Sequence, residues 1–243
     1  MERLKITSYE NGEKRAIPDW VTEEVQFTLE VNKKALATFF CSPTDLKELA
    51  TGFLYTSGFI KGVSSVKNVL IDYKKSKISV EITTKHPLAA SRLKRFHPST
   101  LRGLKIPSGF VMEGSKIIEL MNSFQVCSSE FNKTGGVHSA ALCDREKIII
   151  FKDDVGRHNA LDKVIGEAIL KGIGFEDKII LTSGRIPLEI LLKIIQCNIP
   201  LIASLSAPTN QAVELARQVN ITIIGFVRGK KMNIYSGEER VSE

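Results

Sequence analysis

The rhythm of apolar and polar positions changes along the chain and divides it into three parts. Residues 23–31 (EEVQFTLEV) alternate, which is the period of a half-buried strand. A second short apolar run at 35–40 follows Asn32-Lys33-Lys34, a hairpin signal. Ser42-Pro43-Thr44-Asp45 then reads as a helix start, with a capping hydroxyl and a proline near the first turn. That helix is predicted to run to about Ser57, with Leu46, Leu49, Ala50 and Phe53 on one face and Gly58 as its stop. Residues 66–73 and 77–83 alternate again around Lys74-Lys75-Ser76. From 86 to 112 the period is lost and Pro87, Pro98 and Pro107 intervene, so this stretch is read as a linker or long functional loop at a domain boundary.

The remainder reads as α/β. A helix is expected over 115–131 and strands over 137–143 and 147–151, turning at Asp144-Arg145-Glu146. Ala160, Leu161, Val164, Ile165, Ala168 and Ile169 recur at helical spacing and predict an amphipathic helix with one core-facing stripe. Strand (178–181), helix (187–196), strand (200–205), helix (210–219) and strand (221–227) follow. Such alternation implies parallel strands with right-handed crossovers. The 187–196 helix is apolar nearly all round, so burial on more than one side is expected. The predicted architecture is α/β: a smaller N-terminal α+β domain (1–85), a basic linker (86–112) and a C-terminal α/β domain (113–243).

Composition narrows the class. Of 243 residues, 43% are hydrophobic and 25% charged, as in soluble globular proteins, and no apolar run approaches transmembrane length. Met1 to Lys5 is not followed by the apolar stretch of a secretory signal. Four cysteines, Cys41, Cys127, Cys143 and Cys197, include no C-x-x-C pair, which fits a reducing cytoplasm. The net charge of +7 is concentrated: residues 85–105 hold six basic side chains and no acidic one. That segment is either a solvated mobile stretch or a surface for a polyanion or an acidic partner protein; with Phe96 as its one aromatic and no nucleic-acid-binding motif elsewhere, nucleic acid is not the expected ligand.

In a parallel sheet, ligands bind beyond the carboxyl ends of the strands. The loops there are Thr182-Ser183-Gly184-Arg185, Ser206-Ala207-Pro208-Thr209 and Arg228-Gly229-Lys230-Lys231. Any one could be ordinary helix capping. Together they outline an anion site of hydroxyls, helix N-termini and arginine forks, which favours a phosphate-bearing ligand. Thr134-Gly135-Gly136-Val137-His138 lets backbone approach a ligand closely, and Asp153 to Asn159 sets acid, base, imidazole and amide ahead of the strong helix.

The runs TGGVHSAAL (134–142), DVGRHNALDKVIG (154–166), TSGR (182–185), SAPT (206–209) and GFVRGKKMNIY (225–235), with SPTDLKELATGFLYTSGFI (42–60), resemble the formate dehydrogenase accessory, FdhD-type, sulfur-carrier family. The resemblance covers about 20 to 237. It implies a cytidine-deaminase-like α/β domain and a homodimer. It implies binding of the molybdenum bis(molybdopterin guanine dinucleotide) cofactor, with GDP as a mimic, and passage of persulfide sulfur from a cysteine desulfurase to that cofactor for the formate dehydrogenase catalytic subunit. On these motifs the cofactor-binding residues would be Thr134, Gly135, Gly136, His138, Arg157, His158, Ser183, Gly184, Arg185, Ser206, Thr209, Phe226, Val227, Arg228, Gly229, Lys230 and Lys231. Family members usually carry C-x-x-C in the loop before the second domain; here that loop reads FHPSTLRGLK (96–105). A persulfide carrier needs an exposed thiolate in electropositive surroundings. Cys127, near Lys133, is the expected substitute, with Cys143 and Cys197 buried and inert. A zinc deaminase is rejected, since His138 is followed by Ser139-Ala140 and no cysteine pair exists. A cofactor-binding chaperone without sulfur transfer and a plain nucleotide-binding relative remain as alternatives.

Overall fold

The structure, a computed structural model, describes residues 1–83, 101, 103–106 and 109–243. The mobile-loop expectation for 85–105 falls largely outside these residues. Of the stretch between the domains, Ile106 is buried in the C-terminal core, its N–H donating to Val219 O at 2.8 Å and its carbonyl accepting from Asn220 Nδ2 at 3.1 Å.

The chain opens with a hairpin, β1 (Glu2–Glu10) and β2 (Glu13–Val21), that alternation did not reveal. Both turn residues, Asn11 and Gly12, have positive φ (51° and 88°), as a two-residue hairpin loop requires. The turn makes Glu10↔Glu13 a hydrogen-bonded pair, and pairs alternate from there. Lys5↔Pro18 therefore falls at a non-hydrogen-bonded position. Proline's missing donor faces outward and costs the ladder nothing.

β3 (Val25–Val31), β4 (Lys34–Cys41), β5 (Val66–Asp72) and β6 (Lys77–Ile82) form one sheet in the order β4-β3-β6-β5, with α1 (Leu46–Thr56) packed on it. α1 does not start as expected. Asp45, at φ 53°, occupies the cap position without a side-chain cap bond, and Ser42 is buried beneath the other domain.

After β7 (Met112–Glu113), the helix expected over 115–131 is two helices, α2 (Gly114–Cys127) and α3 (Ser129–Thr134). Ser128 breaks it: its hydroxyl caps α3 by accepting from Phe131 N (2.9 Å) and donates to Asp153 (2.7 Å), which competes with continuing the helix. β8 (His138–Cys143), β9 (Ile148–Asp154), β10 (Ile179–Thr182), β11 (Leu201–Ser204), β12 (Thr222–Arg228) and β13 (Lys231–Ser236) form a sheet in the order β13-β12-β11-β10-β8-β9. Only the β10-β11-β12 ladders are parallel, so the parallel reading holds at the centre and fails at both sides. One face carries α4 (Arg157–Leu170), α5 (Leu188–Gln196) and α6 (Asn210–Val219), and the other carries α2. Covering both faces explains why the central strands are continuous apolar runs. A short β14 (Val241–Ser242) pairs with β7.

α4 is not amphipathic. Its predicted stripe is buried, but so are Asp162, Lys163 and Gly166 on its other side, because α1 packs there. The two helices cross backbone to backbone. A Cβ on Gly52 would lie 1.8 Å from Asp162 O, and one on Gly166 would lie 1.9 Å from Glu48 O. Beside this crossing lies a buried ion pair, Lys163 Nζ to Asp154 Oδ2 at 2.7 Å, with both side chains fully enclosed. Asp154 also accepts from Ser42 N (3.1 Å), Gly156 N (2.8 Å) and Asn159 Nδ2 (3.0 Å), and Asn159 Nδ2 reaches Phe40 O (2.8 Å). A buried carboxylate survives when its lone pairs are met this completely. Part of DVGRHNALDK thus fastens the two domains together.

Gly166→Ala should lower unfolding free energy by about 3 kcal/mol or more, since the clash is with backbone that cannot rotate away. Gly174→Ala, whose Cβ would meet nothing within 4 Å, should change it by less than about 0.5 kcal/mol. Urea denaturation of both variants measures the contrast.

Candidate functional site

At the carboxyl ends of β10 and β11 a cleft of about 400 Å³ opens, lined by Phe131, Gly135, Gly136, Val137, His138, Val155, Ser183, Leu205, Ser206 and Arg228. That size lies within the usual range of small-molecule pockets. Its walls come from three places. The α3–β8 turn is fixed by Gly135 at φ 62°, by Gly135 N to Phe131 O (2.8 Å) and by Gly136 N to Thr134 Oγ1 (3.0 Å). The β10 and β11 loops are tied to each other and to β8: Ser183 N donates to Ser139 O (3.0 Å), Gly184 N to Thr182 Oγ1 (3.3 Å), Ser206 N to Ser204 Oγ (2.9 Å) and Ser204 Oγ to Gly184 O (2.7 Å). β12 brings Arg228, whose Nε and Nη2 both donate to Leu205 O (3.2 and 3.1 Å) and so hold the guanidinium against the cleft wall.

The site differs from the expected one in its donors. A parallel bridge, Ile186↔Pro208, with Ile186 N to Ala207 O and Thr209 N to Ile186 O (both 3.0 Å), stands between the loops and the helix starts. The first turns of α5 and α6 do not line the cleft, and Thr209 caps α6 instead, accepting from Ala212 N. The Ser183, Gly184 and Ser206 N–H groups are committed within the fold. A ligand would therefore meet side chains: the hydroxyls of Ser183 and Ser206, the His138 imidazole and the Arg228 guanidinium, beside apolar Phe131, Val137, Val155 and Leu205.

His138 Nδ1 lies 3.3 Å from Ser183 Oγ, which also accepts from Ser139 N at 2.9 Å. Burial, and then the charge of Arg157, hold His138 below the ordinary imidazole range, so it is neutral near pH 7. Arg157 packs its stem 3.0 Å from where a Cβ on Gly184 would sit, which explains that glycine. Of the other residues singled out, Arg185 is exposed away from the cleft and Val227 is buried. Gly229 turns the exposed β12–β13 corner at φ 60° with Lys230 and Lys231. Phe226 is 36% exposed at φ 54°, an unusual conformation for an aromatic residue, beside a bulge in β12.

His158 lies elsewhere. It lines a separate cleft of about 500 Å³ between the domains, with Phe39, Phe53, Asp162, Glu189 and Lys193. Glu189 Oε2 is 3.3 Å from its Nε2 but off the hydrogen-bonding direction. Burial first, then Lys193 and Arg157, depress this imidazole too.

Cys127 is exposed, as expected, but not activated. Its Sγ donates to Ser123 O at 3.3 Å, and partial burial and then the Asp153 carboxylate push the thiol up. The electropositive surroundings inferred from Lys133 are replaced by an acid that sequence distance concealed. Cys41 is buried and pushed up to about 12, by burial and then Asp154. Burial raises Cys143 and Cys197 as well. Among the described residues, no three His, Cys, Asp or Glu side chains gather to hold a metal, and no helix is long and apolar enough to cross a membrane.

The FdhD/NarQ family pattern matches residues 22–242, nearly the whole chain. The chain belongs to the FdhD/NarQ family. A curated FdhD relative, the sulfur carrier protein FdhD of Listeria innocua, is 37% identical over 259 residues, covering 100% of this chain and 99% of that one. The protein of the same name from Bacillus subtilis is 35% identical, covering 98% and 96%. A crystal structure described as a candidate formate dehydrogenase accessory protein of Desulfotalea psychrophila superposes with a TM-score of 0.85 at 23% identity, covering 99% of each chain, and shares the α/β fold. The FdhD motifs of this chain divide between two tasks, the cleft and the bolt between domains.

Both depressed histidines contribute stability that is present above the ordinary imidazole value and lost as pH falls through their lowered folded values. Asp153, raised chiefly by burial, acts in the opposite sense. Denaturant unfolding between pH 7.5 and 5.5 should show falling stability, and His138→Gln should flatten part of that slope.

Proposed function

We propose that the chain serves formate dehydrogenase maturation by holding the guanine dinucleotide form of the molybdenum pterin cofactor, with the nucleotide end in the cleft beyond β10, β11 and β12. The observation that carries this reading is the convergence of Ser183, Ser206, His138 and Arg228 on one concavity whose remaining wall is apolar. A nucleoside diphosphate needs both halves: charge-assisted and hydroxyl donors for phosphate, and an apolar surface for the base. The residues present fit that cargo. Arg228 and His138 would bind and orient phosphate, and the two serines would complete the donor set.

Relatives named as sulfur carriers extend the reading to sulfur relay, from a cysteine desulfurase to the bound cofactor, with the formate dehydrogenase catalytic subunit as recipient. For that step Cys127 is the one exposed thiol among the described residues. A second reading, a holder of the cofactor with no relay of its own, is favoured by the raised Cys127 thiol and by a 96–105 loop without cysteine.

Calorimetric titration with GDP should show binding that weakens tenfold to a hundredfold in Arg228→Ala, corresponding to about 1.5–3 kcal/mol for a hydrogen bond to a charged group. Undiminished GDP affinity in that variant would falsify the assignment of the cleft. Intact mass after incubation with a cysteine desulfurase and cysteine separates the two relay readings. A sulfur adduct that Cys127→Ser abolishes supports relay through Cys127, and no adduct on the parent supports the holder.

A further inference from the structure

The cleft between the domains that holds His158 has no part in the proposed handling of nucleotide. Its volume of about 500 Å³ lies within the range that takes small organic molecules, and it opens where α1, α4 and α5 meet β4. One wall is aromatic: Phe39 of β4 and Phe53 of α1 stand edge to face, with ring centroids 5.1 Å apart. Asp162, Glu189 and Lys193 line it beside His158, so with a neutral imidazole the cleft keeps one uncompensated negative charge, in a chain whose net charge is +7. Asp162 and Lys193 use each other. The Lys193 ammonium donates to Asp162 Oδ2 (2.5 Å) and to Thr56 Oγ1 (3.5 Å), and it sits 5.8 Å from the centre of the Phe53 ring. Glu189 is left over. Its carboxylate is 79% exposed, and among the described residues its one ion-pair neighbour is His158.

An imidazole 3.3 Å from a carboxylate ordinarily takes up a proton and pairs with it. Here burial, Lys193 and Arg157 oppose the pull of Glu189 and Asp162, and the ring stays neutral. Its Nε2 is enclosed and has no hydrogen-bond partner among the described residues. With the proton on Nδ1, Nε2 presents a lone pair. A carboxylate oxygen and an imidazole nitrogen then face each other, two acceptors with no donor among the described residues to bridge them. We propose that this cleft binds an organic ammonium with an apolar, ring-bearing body, its N–H groups donating to Glu189 and to His158 Nε2 and its body lying against Phe39, Phe53 and Leu192. Lys193 supplies the precedent within the same cavity, where one ammonium is already held by a carboxylate, a hydroxyl and an aromatic ring. Aromatic walls favour a cation because ring faces carry the negative end of the quadrupole. An anion of the same shape would meet the Glu189 carboxylate and find Lys193 already committed to Asp162. The site is separate from the nucleotide cleft, since no described residue lines both.

Calorimetric titration of the full chain with phenethylammonium tests this, beside 3-phenylpropionate, which carries a carboxylate on the same ring and chain. Phenethylammonium should bind and 3-phenylpropionate should not. Glu189→Gln changes an exposed side chain and leaves the core untouched, and it should weaken phenethylammonium roughly tenfold or more. Glu214→Gln, an exposed change on α6 outside the cleft, should leave that affinity as it is. No binding of phenethylammonium at millimolar concentration, equal binding of 3-phenylpropionate, or undiminished affinity in Glu189→Gln overturns the proposal. GDP should not displace phenethylammonium, and competition between them would put both ligands in one cleft and overturn the second site. Failure of GDP to bind would sink the nucleotide reading alone.

Discussion

Two glycines set the distance between the halves of this molecule. Gly52 of α1 and Gly166 of α4 bring two helix backbones so close that a single methyl group on either would overlap a carbonyl oxygen. At that separation every other contact between the domains becomes possible. Asp154 can reach the Ser42 amide, Asn159 can reach Phe40 O, and Lys152 can bridge Asp45 and Glu167 at 2.5 and 2.7 Å. Burying Lys163 against Asp154 is costly unless the cavity around them is fully polar-matched, and the crossing delivers that match. The N-terminal sheet is therefore built onto the C-terminal α/β domain and shares its core-forming helix.

Much of the fold was legible from periodicity, since strands β3, β5 and β6 and the central β10, β11 and β12 repeat every second residue or run continuously apolar. What escaped had physical causes. The hairpin buries no face, so ERLKITSYE and EKRAIPDWV carry no period. The α2–α3 break depends on a serine whose partner, Asp153, lies 25 residues away. α4 looked one-sided because its second buried face is made of Asp162, Lys163 and Gly166, residue types that composition assigns to surface. The TSGR, SAPT and FVRG motifs each contribute a residue to the cleft at one edge of the sheet. They did not reveal that the Ser183, Gly184 and Ser206 amides are spent on β8 and on strand-end hydroxyls, nor that His158 turns into a different cleft.

The four thiols show how far local sequence misleads about reactivity. Lys133 is six positions from Cys127 and suggested an activating field, yet the charge that matters arrives from β9. Desolvation and carboxylates act in the same direction on all of the cysteines for which they are recorded, and both hold the thiols toward their protonated form.

Pro18 gives the hairpin a safeguard of a different kind. Its nitrogen sits on the outward edge of β2, where an incoming strand would look for a donor. An exposed two-stranded ribbon is otherwise the sort of element that seeds fibrils, since an open edge can template another chain without limit. One missing hydrogen on that edge removes, near its middle, a donor that an incoming strand would need.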